Sequence, residues 1–315
     1  MKTVLTRDSL LAAQFVRSGG VVAFPTETVF GLGANVFNAA AIGKIFEAKR
    51  RPADNPLIAH VADIGQISEL ASEIDDSARA FIDAFFPGPL TVVLRKTKRV
   101  PLIATAGLDT IGVRMPRIET AQQFLRACGA PVVAPSANLS GRPSPTTWQA
   151  VLEDLDGRVD CILKGDPTEI GLESTVVDCS GEVPLLLRKG AVSLAELRDI
   201  VPETIEYTPV SHEIAPSPGL RHRHYSPRAM VKIVSTDPKF EISDQRSSAF
   251  IGTSEPDASF EIAKICGSLD EYARSVFEFF RECDRRGIDT IYCQAVDETG
   301  VGAALMDRLR RASGQ

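Results

Sequence analysis

Four short segments of the chain carry cations, hydroxyl groups and amides at spacings that suit the binding of an anion. They are "FPTETVFGLGAN" (24–35), "FEAKRRPADNPLIAHV" (46–61), "APSANLSGRPSPTT" (134–147) and "GLESTVVD" (171–178), the last followed by "LLLRKG" (185–190). Backbone amides in turn-rich loops form concavities that hold anions, and nearby Lys and Arg raise the local concentration of phosphates. Together the segments predict one site for an anionic ligand.

Three adjacent cations, Lys49, Arg50 and Arg51, stand where a helix is predicted to end and a strand to begin. One interpretation is a solvated helix C-terminus, because the negative end of the helix dipole favours Lys and Arg. The other interpretation is a phosphate site at the mouth of the strand. These residues alone do not decide between the two.

The remaining segments also have ordinary structural interpretations. Thr26 and Thr28 suit the caps of a strand–turn–helix corner. The loop that carries Ser136 and Ser144 suits a long polar connection as well as an anion site. His60 suits either a ligand contact or a strand histidine whose hydrogen bonds are satisfied within the protein.

Composition indicates a soluble globular protein. The 315 residues are enough for two domains, or for one large domain and a smaller one, and 44% of them are hydrophobic. A net charge of −6 argues against a protein that coats nucleic acid, although local basic clusters can still bind phosphates. No apolar run reaches the ~20 residues that span a bilayer. The N-terminus lacks the apolar core and cleavage site of a signal peptide, so we expect no membrane association.

Several well-known ligand motifs are missing. The six cysteines are scattered without a CxxC pair, which predicts reduced, mostly buried thiols in a cytoplasmic protein and no zinc site. No metal-ligating set is predicted, and "HRHYSP" (222–227) favours a plain surface over a metal site. There is no GxxxxGK[ST] loop. Both "GLGANV" (31–36) and "GVGAAL" (300–305) lack the third glycine of a dinucleotide fingerprint, so NAD binding is not expected.

Strand-length apolar runs alternate with helical periods over the first 200 residues. Helices are predicted at 5–18, 38–49, 75–86, 118–128, 146–154 and 193–200. Strands are predicted at 21–24, 57–61, 90–94, 111–115, 131–135, 161–164, 174–178 and 184–188. The mixed lengths and order indicate an α/β sheet that is not simply parallel.

A proline-rich stretch at 203–229 has no periodicity and is predicted to be an ordered linker or lid. A second α/β pattern follows it. Strands are predicted at 230–234, 248–252 and 288–293, and helices at 268–286 and 301–312.

Seven ordered blocks of the chain resemble the YrdC-like domain of threonylcarbamoyl-AMP synthases. The blocks are "PTETVFGLG", "KRRPADNPL", "FFPGPLT", "GVRMP", "VVAPSANLSGRPSPTT", "ESTVVD" and "LLRKGA". The resemblance covers residues 10–200 almost continuously. In addition, "SPGLRHRHYSP" (217–227) is similar to the linker of the two-domain members, and "GVGAALMDRLRRAS" (300–313) is similar to the close of their C-terminal domain.

The resemblance implies a fold and three regions. We expect an α/β protein with a twisted mixed sheet of YrdC-like type, followed by a smaller Rossmann-like α/β domain. The implied boundaries are 1–202 for the catalytic domain, 203–229 for the linker or lid and 230–315 for the C-terminal domain. One departure is visible, because Phe30 stands where the family often has tyrosine, so Phe30 is not assigned to the site.

The resemblance also implies roles for individual residues. The KxR…SxN signature of the family gives the catalytic set Lys49, Arg51, Ser136 and Asn138. Residues implied near threonine are Thr28, His60, Arg114, Ala134 and Ser174. Residues implied near ATP are Lys49, Arg51, Asn55, Thr110, Ser136, Asn138, Ser144, Arg188 and Tyr225.

The implied reaction converts L-threonine, bicarbonate and ATP to threonylcarbamoyl-AMP and pyrophosphate, with Mg²⁺ on the ATP. The product supplies the group that a transfer complex attaches to adenosine 37 of tRNA, and the resemblance also allows a weak contact with tRNA. The nucleophile is an anionic carbamate, so positioning and fixed positive charge account for most of the catalysis. This chemistry favours the phosphate-site interpretation of Lys49 and Arg51.

Two other interpretations belong to different classes of protein. A non-catalytic nucleic-acid-binding module would use the same basic cleft, but it predicts exposed aromatics, and aromatic residues are only 6% of this chain. A carbamoyl-transfer domain of a hydrogenase maturation protein would carry acylphosphatase-like and Cys-rich segments, which the sequence lacks. For the linker, we expect 203–229 to fold across the cleft with Tyr225 against the nucleotide, and the alternative is a passive spacer.

Overall fold

The structure, a computed structural model, describes residues 2–208, 225–234 and 247–314. Most of the predicted linker or lid, including His222, Arg223 and His224, therefore lies outside the described residues. The lid stays a prediction from the sequence.

Two separate sheets organise the described chain. The strands of the first sheet are β1 (Val4–Thr6), β2 (Val22–Phe24), β3 (Gly31–Asn35), β4 (Ile58–His60), β5 (Leu90–Arg95), β6 (Thr110–Arg114), β7 (Val132–Ala134), β8 (Cys161–Leu163), β9 (Thr175–Asp178), β10 (Leu185–Arg188) and β11 (Ile205–Glu206). Those of the second are β12 (Met230–Val234), β13 (Ser248–Gly252), β14 (Ile262–Ile265) and β15 (Thr290–Gln294).

The first sheet is mixed, as the sequence predicts. Its strand order is β1-β8-β2-β3-β7-β4-β6-β5-β9-β10-β11. At the centre, β4 runs parallel to β6 and antiparallel to β7, and β6 runs antiparallel to β5. This arrangement places the ends of four sequence-distant segments beside one another. The second sheet, in the order β12-β15-β13-β14, is parallel throughout, as expected for a Rossmann-like domain.

Helices cover both sheets. They are α1 (Ser9–Arg17), α2 (Ala39–Lys49), α3 (Ile67–Leu70), α4 (Asp76–Phe85), α5 (Glu119–Cys128), α6 (Trp148–Leu155), α7 (Leu194–Ile200), α8 (Leu269–Arg286) and α9 (Val301–Ser313). Short polar side chains begin several of them, since a side-chain oxygen can accept a backbone N–H at the N-cap. Asn38 accepts from Ala41 N at 3.0 Å, as the sequence predicts, and Ser193 and Glu196 form a capping box at α7.

Most predicted elements are confirmed within one or two residues, but the first is wrong. The predicted helix 5–18 divides into the edge strand β1 and helix α1, because Asp8 caps a helix that starts only at Ser9. The sequence prediction also missed β3, whose two glycines resemble a turn, and the short strands β11 and β14.

Hydrophobic packing joins the two sheets. The main core lies between the first sheet and its helices and is formed by residues such as Leu32, Phe81 and Val92. A second core fills the space around α8 and α9, but it also includes Val29 and Leu172 from the first sheet's loops. The two domains therefore share one packed interface. In the described part of the chain, no helix is long and apolar enough to cross a membrane.

Candidate active site

A cavity that opens to solvent lies over the centre of the first sheet. Residues two apart on a strand point to the same face of the sheet, so Ile58 and His60 on β4 lie beside Gly112 and Arg114 on β6. On the other side of β4, Ala134 of β7 pairs with Ile58. These strands form the floor of the cavity.

The cavity collects most of the predicted site residues. All of the residues predicted near threonine line it: Thr28, His60, Arg114, Ala134 and Ser174. Of those predicted near ATP, the lining includes Arg51, Ser136, Arg188 and Tyr225. Lys49, Asn55, Thr110, Asn138 and Ser144 lie outside its lining, each at a place described below.

Arg114, at the end of β6, is fixed by three hydrogen bonds. Its guanidinium donates to Thr28 Oγ1 and to Glu27 Oε1, each at 2.7 Å, and to the carbonyl of Gly88 at 3.2 Å. Glu27 is fully buried, so the pair with Arg114 is a buried ion pair. Such a pair holds its geometry because breaking it would leave an unpaired charge inside the protein. Arg114 is thereby oriented toward the cavity before any ligand arrives.

His60 is neutral at physiological pH. Burial and the neighbouring charge of Arg114 lower its pKa from 6.5 to about 3. Its Nδ1 lies 3.2 Å from the carbonyl oxygen of Ile58, and its ring packs edge-on against Phe24. His60 therefore offers the cavity an uncharged polar group and leaves the positive charge to the arginines.

Ser174 and Arg188 form the opposite wall. Arg188 Nη2 donates to Ser174 Oγ at 3.0 Å, and Arg188 Nε donates to Ser174 O at 2.9 Å. Ser174 Oγ also lies 2.8 Å from Thr91 Oγ1. Burial lowers the pKa of Arg188, which means that the protein holds this cation away from water. A buried cation next to a cavity interacts strongly with an anion placed there.

The cluster of three cations separates into three environments. Helix α2 ends at Lys49, and Arg50 is exposed with φ 52°. Lys49 is 1% exposed, and its Nζ donates to the carbonyl oxygens of Ser136 and Asn138 at 2.5 Å each. Only Arg50 thus fits the solvated helix end. Burial and the charge of Arg51 lower the pKa of Lys49 well below its usual value.

The loop that follows β7 is built around Asn138. Its Oδ1 accepts from Ser136 Oγ at 2.6 Å, and its Nδ2 donates to the carbonyls of Leu139 and Arg142 at 2.9 Å each. Together with Lys49, these bonds fix the loop so that Ser136 lines the cavity. Asn138 itself does not line the cavity.

Arg51 and Asn55 carry polar atoms without partners. Arg51 Nη2 donates to Asn55 O at 3.3 Å, but Arg51 Nε and both side-chain polar atoms of Asn55 are buried without a hydrogen bond among the described residues. Burial lowers the pKa of Arg51 to about 10. A buried polar atom without a partner is costly, and such atoms often mark a place where a ligand binds.

Thr110 and Ser144 lie farther from the cavity centre. Thr110 is the first residue of β6, two residues before Gly112, and it shares the sheet face of Gly112 and Arg114. Ser144 is 1% exposed and donates to Glu173 Oε1. Thr110 therefore lies along the same face as the floor, whereas Ser144 reaches the cavity through Glu173.

Tyr225 brings the start of the C-terminal region to the cavity. Its ring stacks on Phe277 with centroids 5.4 Å apart, and the guanidinium carbon of Arg308 lies 5.5 Å from the ring centroid. Tyr225 is 7% exposed, and its backbone has φ 65°. Burial and the charge of Glu173 raise the pKa of its hydroxyl, so the phenol stays protonated.

The sequence prediction missed Glu27, Glu173 and Arg308. The two carboxylates lie inside the quoted blocks "PTET" and "ESTVVD", and an acid next to predicted anion ligands could have suggested a partner for a buried arginine. Arg308 lies far along the chain, and only the fold shows that it reaches Glu173. Among the described residues, no group of three or more His, Cys, Asp or Glu side chains is placed to hold a metal ion.

The fold and the site define a protein of the Sua5, YciO and YrdC class. A family model of that class, described as "Telomere recombination", matches residues 14–190. A second model, described as "Threonylcarbamoyl-AMP synthase, C-terminal domain", matches residues 192–314.

Individual relatives extend this match over nearly the whole chain. The threonylcarbamoyl-AMP synthase of Pyrococcus abyssi is 44% identical, covering 96% of this chain and 93% of its own. That of Bacillus subtilis is 40% identical, covering 96% and 92%. The crystal structure of P. abyssi Sua5 complexed with L-threonine aligns with a TM-score of 0.93 at 40% identity, covering 100% of this chain and 98% of that one. The chain belongs to the threonylcarbamoyl-AMP synthase family.

Proposed function

We propose that the chain is an L-threonylcarbamoyladenylate synthase, a nucleotidyltransferase that joins L-threonine, bicarbonate and ATP. The observation that carries the proposal is that Arg51, Arg114 and Arg188 converge on one cavity while His60 beside them stays neutral. The membership of the family and the L-threonine named for the P. abyssi structure support the choice of substrates.

The proposed reaction has two steps. The neutral amine of threonine and bicarbonate give a carbamate and water. A carbamate oxygen then bonds to the α-phosphorus of ATP while the bond from that phosphorus to the bridging oxygen of the β-phosphate breaks, and pyrophosphate leaves. Because the carbamate is already anionic, the protein needs no nucleophilic side chain. It must bring two anions together and stabilise the charge that develops between them.

The cavity offers separate groups for the two substrates. We propose that Arg114, held by Glu27, binds the threonine carboxylate, with Thr28, His60, Ala134 and Ser174 around the amino acid. Charge-assisted, well-oriented hydrogen bonds of this kind are stronger than neutral ones. The neutral imidazole of His60 suits a hydrogen bond to the threonine hydroxyl or amine without adding charge.

For ATP, we propose Arg51, Arg188, Ser136 and Tyr225 as direct contacts, with Asn55 and Thr110 at the margin of the site. Lys49 and Asn138 position the loop that carries Ser136, so their part in catalysis is to hold donors in place. The Mg²⁺ is proposed to arrive with the triphosphate as MgATP, because Mg²⁺ commonly binds through substrate phosphates. The threonylcarbamoyl group then passes to a tRNA-modifying transfer complex.

The deciding assay measures pyrophosphate release from ATP by the purified chain, with and without threonine and bicarbonate. We expect release that requires both co-substrates and Mg²⁺, together with a product whose mass equals threonylcarbamoyl-AMP. Release that is independent of threonine would instead indicate a simple ATP pyrophosphatase. Absence of release with all substrates present would contradict the proposal.

The amino-acid preference gives a prediction for the same assay. A site that hydrogen-bonds the threonine hydroxyl leaves buried polar groups unpaired when valine binds, so valine is expected to be a very poor substrate. Serine keeps the hydroxyl and loses one methyl group, so its kcat/KM is expected to fall ~10-fold or somewhat more. Equal rates with valine and threonine would remove the hydroxyl contact from the proposal.

A further inference from the structure

Glu173 places a carboxylate in a cavity that must accept anions. It lines the cavity beside Ser174 and Arg188, and its side chain is only 7% exposed. Burial alone would raise its pKa, but the charges of Arg308 and Arg188 outweigh burial and hold the pKa below its ordinary value. Glu173 is therefore ionised in the folded protein, and its negative charge opposes the binding of a triphosphate unless another group compensates it.

That compensating group comes from the C-terminal domain. Arg308 of α9 is 1% exposed, and its Nε donates to Glu173 Oε2 at 2.8 Å. Its Nη2 donates at 2.9 Å to the carbonyl of Lys189, the residue directly after Arg188. Its guanidinium also lies 5.5 Å from the ring centroid of Tyr225. One side chain from the second domain thus contacts three neighbours of the cavity.

The nearby arginines differ in their tasks. Arg188 directs two hydrogen bonds to Ser174, on the cavity side. Arg308 lies on the far side of Glu173 and does not line the cavity. Its third bond, to Asp307 Oδ2 at 2.6 Å, ties it to its own helix. Arg308 is therefore placed to neutralise Glu173 without itself contacting a ligand in the cavity.

We propose that Arg308 is a positioning residue of the ATP site: it neutralises Glu173 from behind, so that the cavity remains cationic. The active site would then be complete only when the C-terminal domain is docked. This inference rests on the proposed function for the identity of the ligand, ATP.

The test is a cycle of variants in the full-length chain, read by direct calorimetric titration with MgATP. In Arg308→Met the carboxylate of Glu173 loses its buried partner, so the Kd for MgATP is expected to rise on the order of 10²-fold. In Glu173→Gln one negative charge leaves the cavity, so MgATP is expected to bind at least as tightly as to the wild type. The double variant R308M/E173Q is expected to regain affinity within ~5-fold of the wild type, because the two sites are coupled.

Arg310→Met is the matched control. Arg310 lies two residues along α9 and pairs with Glu298 at the surface, so its removal is expected to leave the Kd unchanged. Circular dichroism and melting curves check the fold of each variant. If R308M does not fold, the double variant decides the question alone: a Kd within ~5-fold of the wild type supports the inference, and a Kd raised on the order of 10²-fold contradicts it.

Two results would overturn the inference: wild-type affinity for MgATP in a folded R308M, or a folded double variant that binds as weakly as R308M. Because the readout is ATP binding, it is distinct from a failure of the proposed function. A wild type that binds MgATP but releases no pyrophosphate would contradict the proposed reaction, while the binding cycle would still decide the role of Arg308.

Discussion

Residue identity alone does not tell which cation of a cluster serves the site. Lys49, Arg50 and Arg51 are adjacent, yet one is buried under a loop, one is exposed and one lines the cavity. The difference arises because α2 ends at Lys49 and the chain turns at Arg50. The solvated helix end therefore describes Arg50, whereas Arg51 lines the cavity, where a phosphate site stays a prediction.

Alanine substitution should separate these three cations. Arg51→Ala is expected to lower kcat/KM for ATP by on the order of 10²-fold, because a charge-assisted contact in the transition state is lost. Lys49→Ala is expected to lower activity similarly and also to destabilise the fold by ~1–3 kcal/mol, because buried carbonyls lose their donor. Arg50→Ala is the control and should stay near wild type in pyrophosphate release and urea unfolding. Near-wild-type activity of R51A and K49A would return the whole cluster to a structural role.

His60 makes stability depend on pH in a predictable direction. Its pKa is 6.5 in the unfolded chain and about 3 in the folded chain, so between these values the unfolded state binds the extra proton. Stability from this residue is complete above pH 6.5 and is lost as the pH falls, by at most about 1.4 kcal/mol per pH unit. Urea unfolding of the wild type and of His60→Gln at pH 7 and pH 5 measures the effect. We expect the variant to lose less stability on acidification, and parallel losses would contradict a buried, neutral His60.

At the scale of elements, prediction from the sequence succeeds where several local signals agree. Helix α2 was predicted at 38–49 and lies at Ala39–Lys49, because a cap, an apolar stripe and a clear end agree along its length. Strand β3 has two glycines among its five residues, so no local pattern marks it as a strand. What makes Gly31–Asn35 a strand is its pairing with β2 and with β7, and β7 lies far along the chain, outside any local window of sequence.

The same limit applies to the candidate site. The quoted blocks, through the resemblance, led to Arg114, Ser174 and Arg188, and the fold brings them to one cavity. Which groups reach the ligand and which hold the loop beneath it depends on side-chain packing. Thus the structure places Lys49 and Asn138 behind Ser136, and their contact with the ligand stays a prediction, whereas Arg308 carries no local indication of its place beside Glu173.

Gly171, in the loop before Glu173, packs closely against helix α8. It has φ +80°, and a Cβ added there would lie 2.4 Å from Arg274 Cα. Its N–H also donates to the carbonyl of Thr28 at 3.1 Å. Gly171→Ala therefore combines an unfavourable backbone conformation with a backbone clash and is expected to cost ~2 kcal/mol or more. Urea unfolding measures it against Gly181→Ala, where no atom lies within 4 Å of an added Cβ. Equal free energies of unfolding for the two variants would show that α8 shifts at this contact without measurable cost.

For the whole molecule, the two sheets are separate but their domains are not independent. Val29 and Leu172 of the first domain pack into the core around α8 and α9. Arg281 of α8 binds Asp154 with both terminal nitrogens, at 3.2 and 2.9 Å, and both side chains are almost fully buried. With the pair formed by Arg308 and Glu173, two buried ion pairs cross the interface. Separating the domains would break both pairs and leave Glu173 without Arg308, while Asp154 would keep only Arg142, so the two pairs oppose separation.

We therefore expect the full chain to unfold in one cooperative transition, although it contains two domains. Differential scanning calorimetry should give a single peak whose calorimetric and van't Hoff enthalpies agree. Arg281→Met removes one of the two crossing pairs and leaves Asp154 with Arg142 as its remaining charged partner. That variant is expected to melt at a lower temperature and over a broader range, because the coupling between the domains is weaker. Two resolved peaks in the wild type would contradict this coupling, and so would an R281M curve that superimposes on that of the wild type. Since the Glu173 carboxylate faces the cavity on one side and the C-terminal domain on the other, MgATP should raise the melting temperature of both domains together.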